Sequence, residues 1–201
     1  MSIKKWKTLK SDYIIKRPWL TARRDKVQLP NGVIHDEYYV LEYPDWINVI
    51  AEDTEGNLII EQQWRHALGI VSSEICAGVI EKDEKPLDAA QRELQEETGY
   101  GGGTWTKLMT ISANPSTMNN HCHCYLAKGV KPVSSQHLDR TEDIEFKLLP
   151  KEKVFEMFHL NNTGPLASPC PWLTSFLSYG LCFSCTIQEI ARTSLSCGAA
   201  K

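Results

Sequence analysis

The segment GVIEKDEKPLDAAQRELQEETGY, residues 78–100, constrains the fold of this 201-residue chain more than any other stretch. Pro86 suits the first turn of a helix, where its missing N–H leaves no hydrogen bond unmade. Gly99 suits the left-handed residue that follows a last helical turn. The spacing therefore predicts a helix between Pro86 and Gly99, preceded by a loop.

One face of this helix is predicted to be acidic. Residues three and four apart are neighbours on a helix, so three carboxylates share one arc: Glu93, Glu96 and Glu97. An adjacent arc of Leu87, Ala90 and Leu94 is predicted to pack against a sheet. The carboxylates then lie beside the edge of the core. Arg92 is the nearby cation, and we expect Asp88 to be its i,i+4 partner.

Two interpretations of this acidic face are open at this point. A solvated acidic surface is the simpler one, but such surfaces usually carry interleaved cations. Each unscreened pair of like charges costs about 0.2–0.5 kcal/mol, a cost that a bound divalent cation would remove. Oxygen donors on one rigid face suit Mg²⁺ or Mn²⁺ better than zinc.

Composition argues against several other classes of protein. The formal charge of −3 and a pI near 6.1 offer no basic surface for nucleic acid. The N-terminus MSIKKWKTLKSDY has no apolar run of the kind found in signal peptides or membrane spans, so we expect a soluble cytoplasmic protein that binds neither nucleic acid nor membrane. The seven cysteines are odd in number, and we expect reduced thiols.

A zinc site is an alternative that the cysteines suggest. HCHC at residues 121–124 and CFSC at residues 182–185 together contain four thiols and two imidazoles. Residues alternate faces along a strand, so HCHC would present two histidines on one face and two thiols on the other. That geometry does not suit one tetrahedral ion. We therefore favour buried thiols over a zinc site.

Strand-like alternation continues along most of the chain before residue 150. Residues 13–41 form a predicted antiparallel pair that turns at Pro30-Asn31-Gly32, because Asn-Gly favours a hairpin. Further segments with strand-like patterns are INVIAED, NLIIEQQWR, IVSSEICAGVIE, WTKLMTISA, HCHCYLAKGV and IEFKLLP, and KEKVFEMFHL has the pattern of a short amphipathic helix. The predicted order is rich in strands, with two helices.

The acidic segment also resembles the signature of a known family. Gly78, Glu84, the run Arg92-Glu93-Leu94, the pair Glu96-Glu97, and Gly99-Tyr100 occupy every specified position of the Nudix hydrolase signature. The resemblance implies an α/β fold, an α/β/α sandwich with a mixed sheet, over residues 46–160. It further implies an N-terminal antiparallel sheet over residues 1–45, swapped between the subunits of a homodimer. The resemblance ends at about Leu160, and residues 161–201 are expected to be a divergent C-terminal tail, either a divergent helix or a segment that is not well folded.

The same resemblance implies roles for the carboxylates. Nudix hydrolases use this helix to hold divalent metal ions against a diphosphate that is linked to a nucleoside. Glu93 and Glu97 are then the principal metal ligands, and Glu96 is a further ligand or positions water. The carbonyl of Ala77 is an additional ligand. An internal salt bridge between Arg92 and Glu84 is expected to orient the loop and the helix.

The flanking residues resemble those of ADP-ribose pyrophosphatases. ICAGVIE resembles their E-x-P-A-G motif, with Cys76 in the place of proline, and QQWRHA resembles their Q-x-R segment. Pro115, sixteen positions after Gly99, matches a marker of this subgroup. The implied reaction is Mg²⁺-dependent hydrolysis of ADP-ribose to AMP and ribose 5-phosphate, with Mn²⁺ as a substitute. The alternatives are another nucleoside diphosphate sugar such as GDP-mannose, or a non-catalytic domain that senses one.

Substrate contacts are implied for several residues outside the signature. Arg65 is expected to bind a phosphate, because its guanidinium is permanently charged and bidentate. Trp46 is expected to stack on adenine, with a place in the core as the alternative. Glu74 is expected to contact ribose or metal, or else to be a solvated strand residue. Arg23 and Arg24 are candidates to reach a ligand in the partner subunit.

The catalytic base is expected in the loop QHLDRTEDIEFKL. Glu142 is the first candidate, as base or as outer metal ligand, and Asp139 is the second. Some relatives carry a glutamate where this chain has Arg140, so the assignment between the two stays open.

Overall fold

The N-terminal part of the protein forms a separate antiparallel sheet. The structure, a computed structural model, describes residues 2–159. The sheet has three strands in the order β1-β2-β3, where β1 is Lys7–Arg17, β2 is Leu20–Gln28 and β3 is Ile34–Glu42. The Asn-Gly hairpin joins β2 to β3, as predicted. The prediction of a pair missed β1, because ten of its eleven residues are exposed and it lacks the apolar alternation of a half-buried strand.

A mixed sheet forms the rest of the protein. Its strand order is β11-β5-β4-β10-β8, with β6 paired to β5, β7 to β4 and β9 to β10. The β4–β10 pair is parallel and the other pairs are antiparallel. The strands are β4 (Trp46–Asp53), β5 (Leu58–Arg65), β6 (Ile70–Glu74), β7 (Cys76–Val79), β8 (Tyr100–Gly101), β9 (Thr104–Ile111), β10 (Cys122–Pro132) and β11 (Ile144–Leu149).

One helix covers each face of this sheet. Helix α1, Pro86–Thr98, packs on the face that carries Ile47, Val49 and Ile59. Helix α2, Lys151–His159, buries Val154 among side chains of the opposite face: Leu58, Ile60 and Ile75. Because side chains alternate along each strand, successive residues of β5 pack alternately in the core beneath α1 and in the core beneath α2. The arrangement is the predicted α/β/α sandwich with a mixed sheet.

Helix α1 buries Ala90 and Leu94 against the sheet as predicted, but the prediction for Leu87 is wrong. The ends of the helix are as expected, with Pro86 in the first turn and Gly99 left-handed at φ 75°. Leu87, however, is 37% exposed, whereas Ala89 and Glu97 are buried. The buried arc is thus rotated away from Leu87, toward the side that carries the glutamates. Of the three glutamates, Glu97 is buried against the sheet, whereas Glu93 and Glu96 are partly exposed beside it.

Candidate functional site

Arg92 links the loop before α1 to the acidic face. Its guanidinium donates to both oxygens of Glu84 at 2.9 Å and to the carbonyl of Val79 at 3.0 Å. It also lies 2.9 Å from Glu93 and 3.0 Å from Glu96. The salt bridge to Glu84 agrees with the expectation, but Asp88 was the wrong i,i+4 partner. Glu96 occupies the equivalent position one turn further on, and Arg92 thereby offsets part of the repulsion between carboxylates.

Gly78 makes room for the carboxylate of Glu93. A Cβ atom placed on Gly78 would lie 2.1 Å from Cδ of Glu93 and 2.3 Å from its Oε1. These distances are far inside van der Waals contact, so the acidic group lies directly against the backbone of β7. Burial raises the pKa of Glu93, while the neighbouring Arg92 opposes that effect.

Gly78→Ala is expected to displace the Glu93 carboxylate while leaving the fold intact. The obstructing atoms belong to the end of a side chain, which moves more easily than backbone. We expect Mn²⁺ affinity, measured by calorimetry, to fall by about 10–100-fold, the range seen when the surroundings of a metal ligand are disturbed. Gly56→Ala, at an open site with φ 88°, strains only its own turn and is the control for a loss of stability away from Glu93. Unchanged Mn²⁺ affinity in Gly78→Ala would argue against Glu93 as a ligand.

A second group of acids lies deeper, between α1 and the sheet. Glu61 of β5 is 1% exposed and Glu97 of α1 is 4% exposed. Ligand atoms of Glu61, Glu97 and Cys76 all lie within 4.8 Å of one another. Oε1 of Glu61 and Oε2 of Glu97 are buried without a hydrogen-bond partner in the described part of the chain. These are the orphaned oxygens that a cation would satisfy.

Burial and mutual repulsion raise the pKa values of this group. Desolvation, opposed by the Cys76 thiol and assisted by the charges of Glu93 and Glu142, raises the pKa of Glu97 to about 7. Burial, followed by the charge of Glu97, raises the pKa of Glu61 well above its usual range. Burial also raises the pKa of Cys76. The metal-free site therefore holds protons that a cation would displace.

Glu61 is a residue that the sequence reasoning missed. It sits in the run LIIEQ, where Ile59 and Glu61 share a strand face. Ile59 lies in the core beneath α1, so the same parity places Glu61 there. A charged residue at a core position of a buried strand was the signal that could have identified it.

Arg65 and Glu74 form a bidentate ion pair on neighbouring strands. Nε of Arg65 donates to Glu74 at 2.8 Å, and Nη2 donates to its other oxygen at 2.5 Å. Hydrogen bonding by Glu74 raises the pKa of Arg65, and the charges of Glu97 and Glu61 act in the same direction. Glu74 is 5% exposed, so it is not the solvated strand residue that the sequence left open.

A large pocket brings several predicted residues together. Its volume is about 1080 Å³, and its lining includes all four predicted substrate-binding residues and the predicted backbone ligand: Trp46, Arg65, Glu74, Ala77 and Pro115. Gly78 also lines the pocket and contacts Glu93, so the pocket reaches the acidic face of α1 at this strand. The Trp46 ring lies 5.5 Å from that of Tyr43. The volume suits a ligand of nucleotide size.

The loop after β10 is attached to the end of α1. Gln136 donates to the carbonyl of Glu97 at 2.6 Å, and the His137 amide donates to the carbonyl of Glu96 at 2.7 Å. These bonds satisfy carbonyls that the end of a helix leaves unpaired. They hold the following residues near the acidic face. Glu142 is exposed, accepts a bond from the Asp139 amide at 2.9 Å, and lies close enough to raise the pKa of Glu93.

Within residues 2–159, the histidine and cysteine cluster at residues 121–124 does not bring three ligand atoms together. Cys122 and Cys124 are buried, and Cys122 donates to Asn48 at 3.1 Å. His121 and His123 lie near Asp45, at 3.8 and 3.3 Å. Within residues 2–159, the group that could hold an ion is the one around Glu97. The CFSC segment lies outside the described residues.

The two N-terminal arginines have partners in their own sheet. Arg23 contacts Asp25 and Glu42, and Arg24 lies 3.4 Å from Glu37. Whether either one reaches a ligand in a partner subunit stays a prediction. In residues 2–159, no helix has the length and hydropathy required to cross a membrane.

The donor set defines what this site can do chemically. Carboxylate and carbonyl oxygens line one side of β7 and α1, and they match the ligands of hard divalent cations. The space at Gly78, which holds the Glu93 carboxylate against β7, fits such an ion. A guanidinium and a pocket adjoin them, an arrangement suited to an anionic substrate with a nucleotide-sized body.

An α/β/α sandwich whose carboxylate-bearing helix follows a glycine-containing strand defines a Nudix-type hydrolase domain. Residues 43–168 match the NUDIX domain, and residues 6–41 match the nucleoside diphosphate sugar hydrolase N-terminal domain. The chain belongs to the Nudix family.

Individual relatives agree with this assignment. The chain is 33% identical to a methanol dehydrogenase activator of Bacillus methanolicus over 75% of its own length and 81% of the relative. It is 31% identical to an ADP-ribose pyrophosphatase of Bacillus subtilis over 75% of this chain and 82% of the relative. It is 26% identical to a GDP-mannose pyrophosphatase of Salmonella arizonae over 75% of this chain and 84% of the relative. The crystal structure of an ADP compounds hydrolase shares the fold, with a TM-score of 0.76 at 20% identity over 92% of this chain and 97% of that one.

Proposed function

We propose that this protein hydrolyses the diphosphate of ADP-ribose to AMP and ribose 5-phosphate with Mg²⁺. The observation that carries the proposal is the pocket in which Trp46, Arg65 and Glu74 meet Ala77, beside the acidic face of α1. The ADP-ribose pyrophosphatase of Bacillus subtilis, which is similar over most of its length, supports the choice of substrate.

Each part of the site has a proposed role. Glu93, Glu97 and the carbonyl of Ala77 would hold Mg²⁺, with Glu96 as a further ligand or as a group that positions water. When bound, the metal neutralises the diphosphate and lowers the pKa of water. Arg65 would bind a phosphate while Glu74 fixes the direction of its guanidinium. Mn²⁺ would substitute, because it prefers the same oxygen donors.

Trp46→Ala is expected to raise the KM for ADP-ribose with little change in kcat. Stacking of a base on an aromatic ring contributes about 1–3 kcal/mol, which corresponds to roughly 5–150-fold in affinity. Trp46→Phe, which keeps an aromatic face, is the matched control and should stay within a few-fold of wild type. Steady-state kinetics of the three proteins test this. An equal loss in both variants would place Trp46 in a structural role.

A substrate panel tests the proposed reaction. Purified protein with Mg²⁺ is assayed against ADP-ribose, GDP-mannose, NADH and diadenosine polyphosphates, with the products resolved by chromatography. We expect the highest kcat/KM for ADP-ribose and the products AMP and ribose 5-phosphate. Equal turnover of all four would defeat the substrate assignment. Release of other products would defeat the proposed bond cleavage.

Two alternatives have specific support. GDP-mannose is favoured by the similarity to the GDP-mannose pyrophosphatase, and the same panel decides between the two sugars. A domain that senses a nucleotide sugar and regulates a partner is favoured by the similarity to the methanol dehydrogenase activator. The sensor predicts tight binding of ADP-ribose without hydrolysis, which calorimetry combined with product analysis would reveal.

We further propose that the protein is a cytoplasmic homodimer that pairs through residues 1–45, as the sequence suggests. The N-terminal sheet exposes large apolar side chains that include Tyr13 at 52%, Ile14 at 55% and Trp19 at 82%. Exposed apolar surface of this kind favours association. Analytical ultracentrifugation of the wild type should give twice the mass of one chain. The Ile14→Asp variant should give the mass of a single chain. A monomeric wild type would defeat the proposal.

A further inference from the structure

Glu61 and Cys76 have no part in the proposed hydrolysis, yet both lie against Glu97 in the core. Glu61 belongs to β5, Cys76 to β7 and Glu97 to α1, and each of the three is buried. Their ligand atoms fall within 4.8 Å of one another. Three separate elements of the fold thus bring two carboxylates and one thiol to a single point.

Two atoms of this group need a partner. Oε1 of Glu61 and Oε2 of Glu97 are buried with no hydrogen bond among the described residues, in side chains that are more than nine-tenths buried. A buried polar group left unsatisfied costs about 1–3 kcal/mol, and a charged one costs more. Carboxylate oxygens accept but do not donate, so the two cannot satisfy each other without a proton or a cation.

The neighbouring arginines do not supply that cation. Arg65 uses its guanidinium on both oxygens of Glu74. Arg92 forms its ion pairs with Glu84, Glu93 and Glu96. The described ion pairs of residues 2–159 include neither Glu61 nor Glu97, so no arginine is in ion-pair contact with this group.

We propose that Glu61, Cys76 and Glu97 form a buried binding site for one thiophilic divalent cation of the Zn²⁺ class. The thiolate selects such ions over Mg²⁺, which prefers oxygen donors alone. Two carboxylates and one thiolate supply three ligands and leave one position for water, a coordination that zinc commonly takes. The thiol proton, and any proton shared by the carboxylates, passes to solvent when the ion binds.

This site goes beyond the proposed hydrolysis, with which it shares Glu97 alone. The proposed Mg²⁺ ligands are oxygens of α1 and of the Ala77 carbonyl, whereas Glu61 and Cys76 face the core from the sheet. A thiophilic ion at the buried position would bind the carboxylate of Glu97 from the side of the sheet. The protein is therefore expected to bind two chemically distinct classes of divalent ion around one helix.

Cobalt is the probe, because a cobalt–thiolate bond gives a charge-transfer band in the near ultraviolet. The full-length protein is stripped with a chelator and titrated with Co²⁺ in the absence of substrate. We expect a band that saturates at one ion per chain. Cys76→Ala should lose it, and Glu61→Gln should keep the band but weaken Co²⁺ binding by at least about tenfold. Circular dichroism and thermal unfolding check that each variant folds.

Other cysteines provide the matched controls. Cys124→Ala removes a buried thiol of β10, and Cys182→Ser with Cys185→Ser removes the CFSC pair. All of these proteins should keep the band. Wild type that binds Co²⁺ without the band, or a band that survives Cys76→Ala, overturns the proposal. If Cys76→Ala does not fold, the double variant Cys182→Ser with Cys185→Ser decides the question. Loss of the band in that double variant would overturn the proposal. Because no substrate is present, failure of ADP-ribose hydrolysis does not affect these outcomes.

Discussion

Glu97→Gln is expected to reduce the rate of Mg²⁺-dependent hydrolysis by more than about 100-fold, because it removes the charge of a metal ligand. Substitution of a residue that only supports a metal ligand already lowers metal affinity or activity by about 10–100-fold. The fold should persist, since glutamine has nearly the same shape. Steady-state kinetics with ADP-ribose, together with Mn²⁺ binding by calorimetry, measure the effect. Glu55→Gln, in the exposed turn between β4 and β5, is the matched control and should behave as wild type.

The pH dependence of metal binding sharpens this prediction. Burial raises the pKa of Glu97 to about 7 in the metal-free protein. Below that pH a proton occupies the carboxylate and competes with the metal, and above it the carboxylate is free to bind. Mn²⁺ affinity of the wild type should therefore rise as pH increases through 7, and this dependence should flatten in Glu97→Gln. Full turnover in Glu97→Gln would remove Glu97 from the proposed metal site.

Glu142→Gln is expected to lower kcat by about 10²–10⁴-fold, the usual contribution of a general base. Glu142 lies near enough to raise the pKa values of Glu93 and Glu97, and its loop is held to the end of α1. Asp139→Asn is the control, because Asp139 is exposed in the same loop and contacts Glu142 through its backbone amide. It should retain most activity.

Metal affinity separates the two roles that the sequence left open for Glu142. A base acts on water, so Glu142→Gln should leave Mn²⁺ affinity within a few-fold while kcat falls. An outer metal ligand would instead lower the affinity. A large loss of kcat in Asp139→Asn, with Glu142→Gln active, would assign the base to Asp139.

The local features of the chain could be predicted from the sequence, because they depend on residues that are close together along the chain. Pro86, Gly99 and the three-and-four spacing of the glutamates predict α1 with both of its ends, and the alternation of NLIIEQQWR predicts β5. The Nudix signature identifies the family, and the domain match over residues 43–168 agrees with it. The first strand of the N-terminal sheet was missed, because its exposed residues carry no pattern.

Which side chains of α1 face the sheet could not be predicted from the sequence in the same way. Leu87 is the more apolar residue, yet Glu97 is the one that is buried. A helix turns toward the surface that fits it, and here that surface includes Gly78, which leaves space for Glu93 against β7. Hydrophobicity predicted Leu87 on the buried arc, which instead extends to Glu97.

By itself, the sequence determined the acidic helix, most of the strand segments and the family, since each depends on spacing within a short segment. Only the tertiary structure decided that Trp46, Arg65 and Pro115, which are tens of residues apart, line one pocket. It alone also decided that Glu61 and Cys76 meet Glu97. Strands β5 and β7 both pair with β4, and α1 packs over them, which brings these groups together. No pattern within a single segment records which strands will become neighbours.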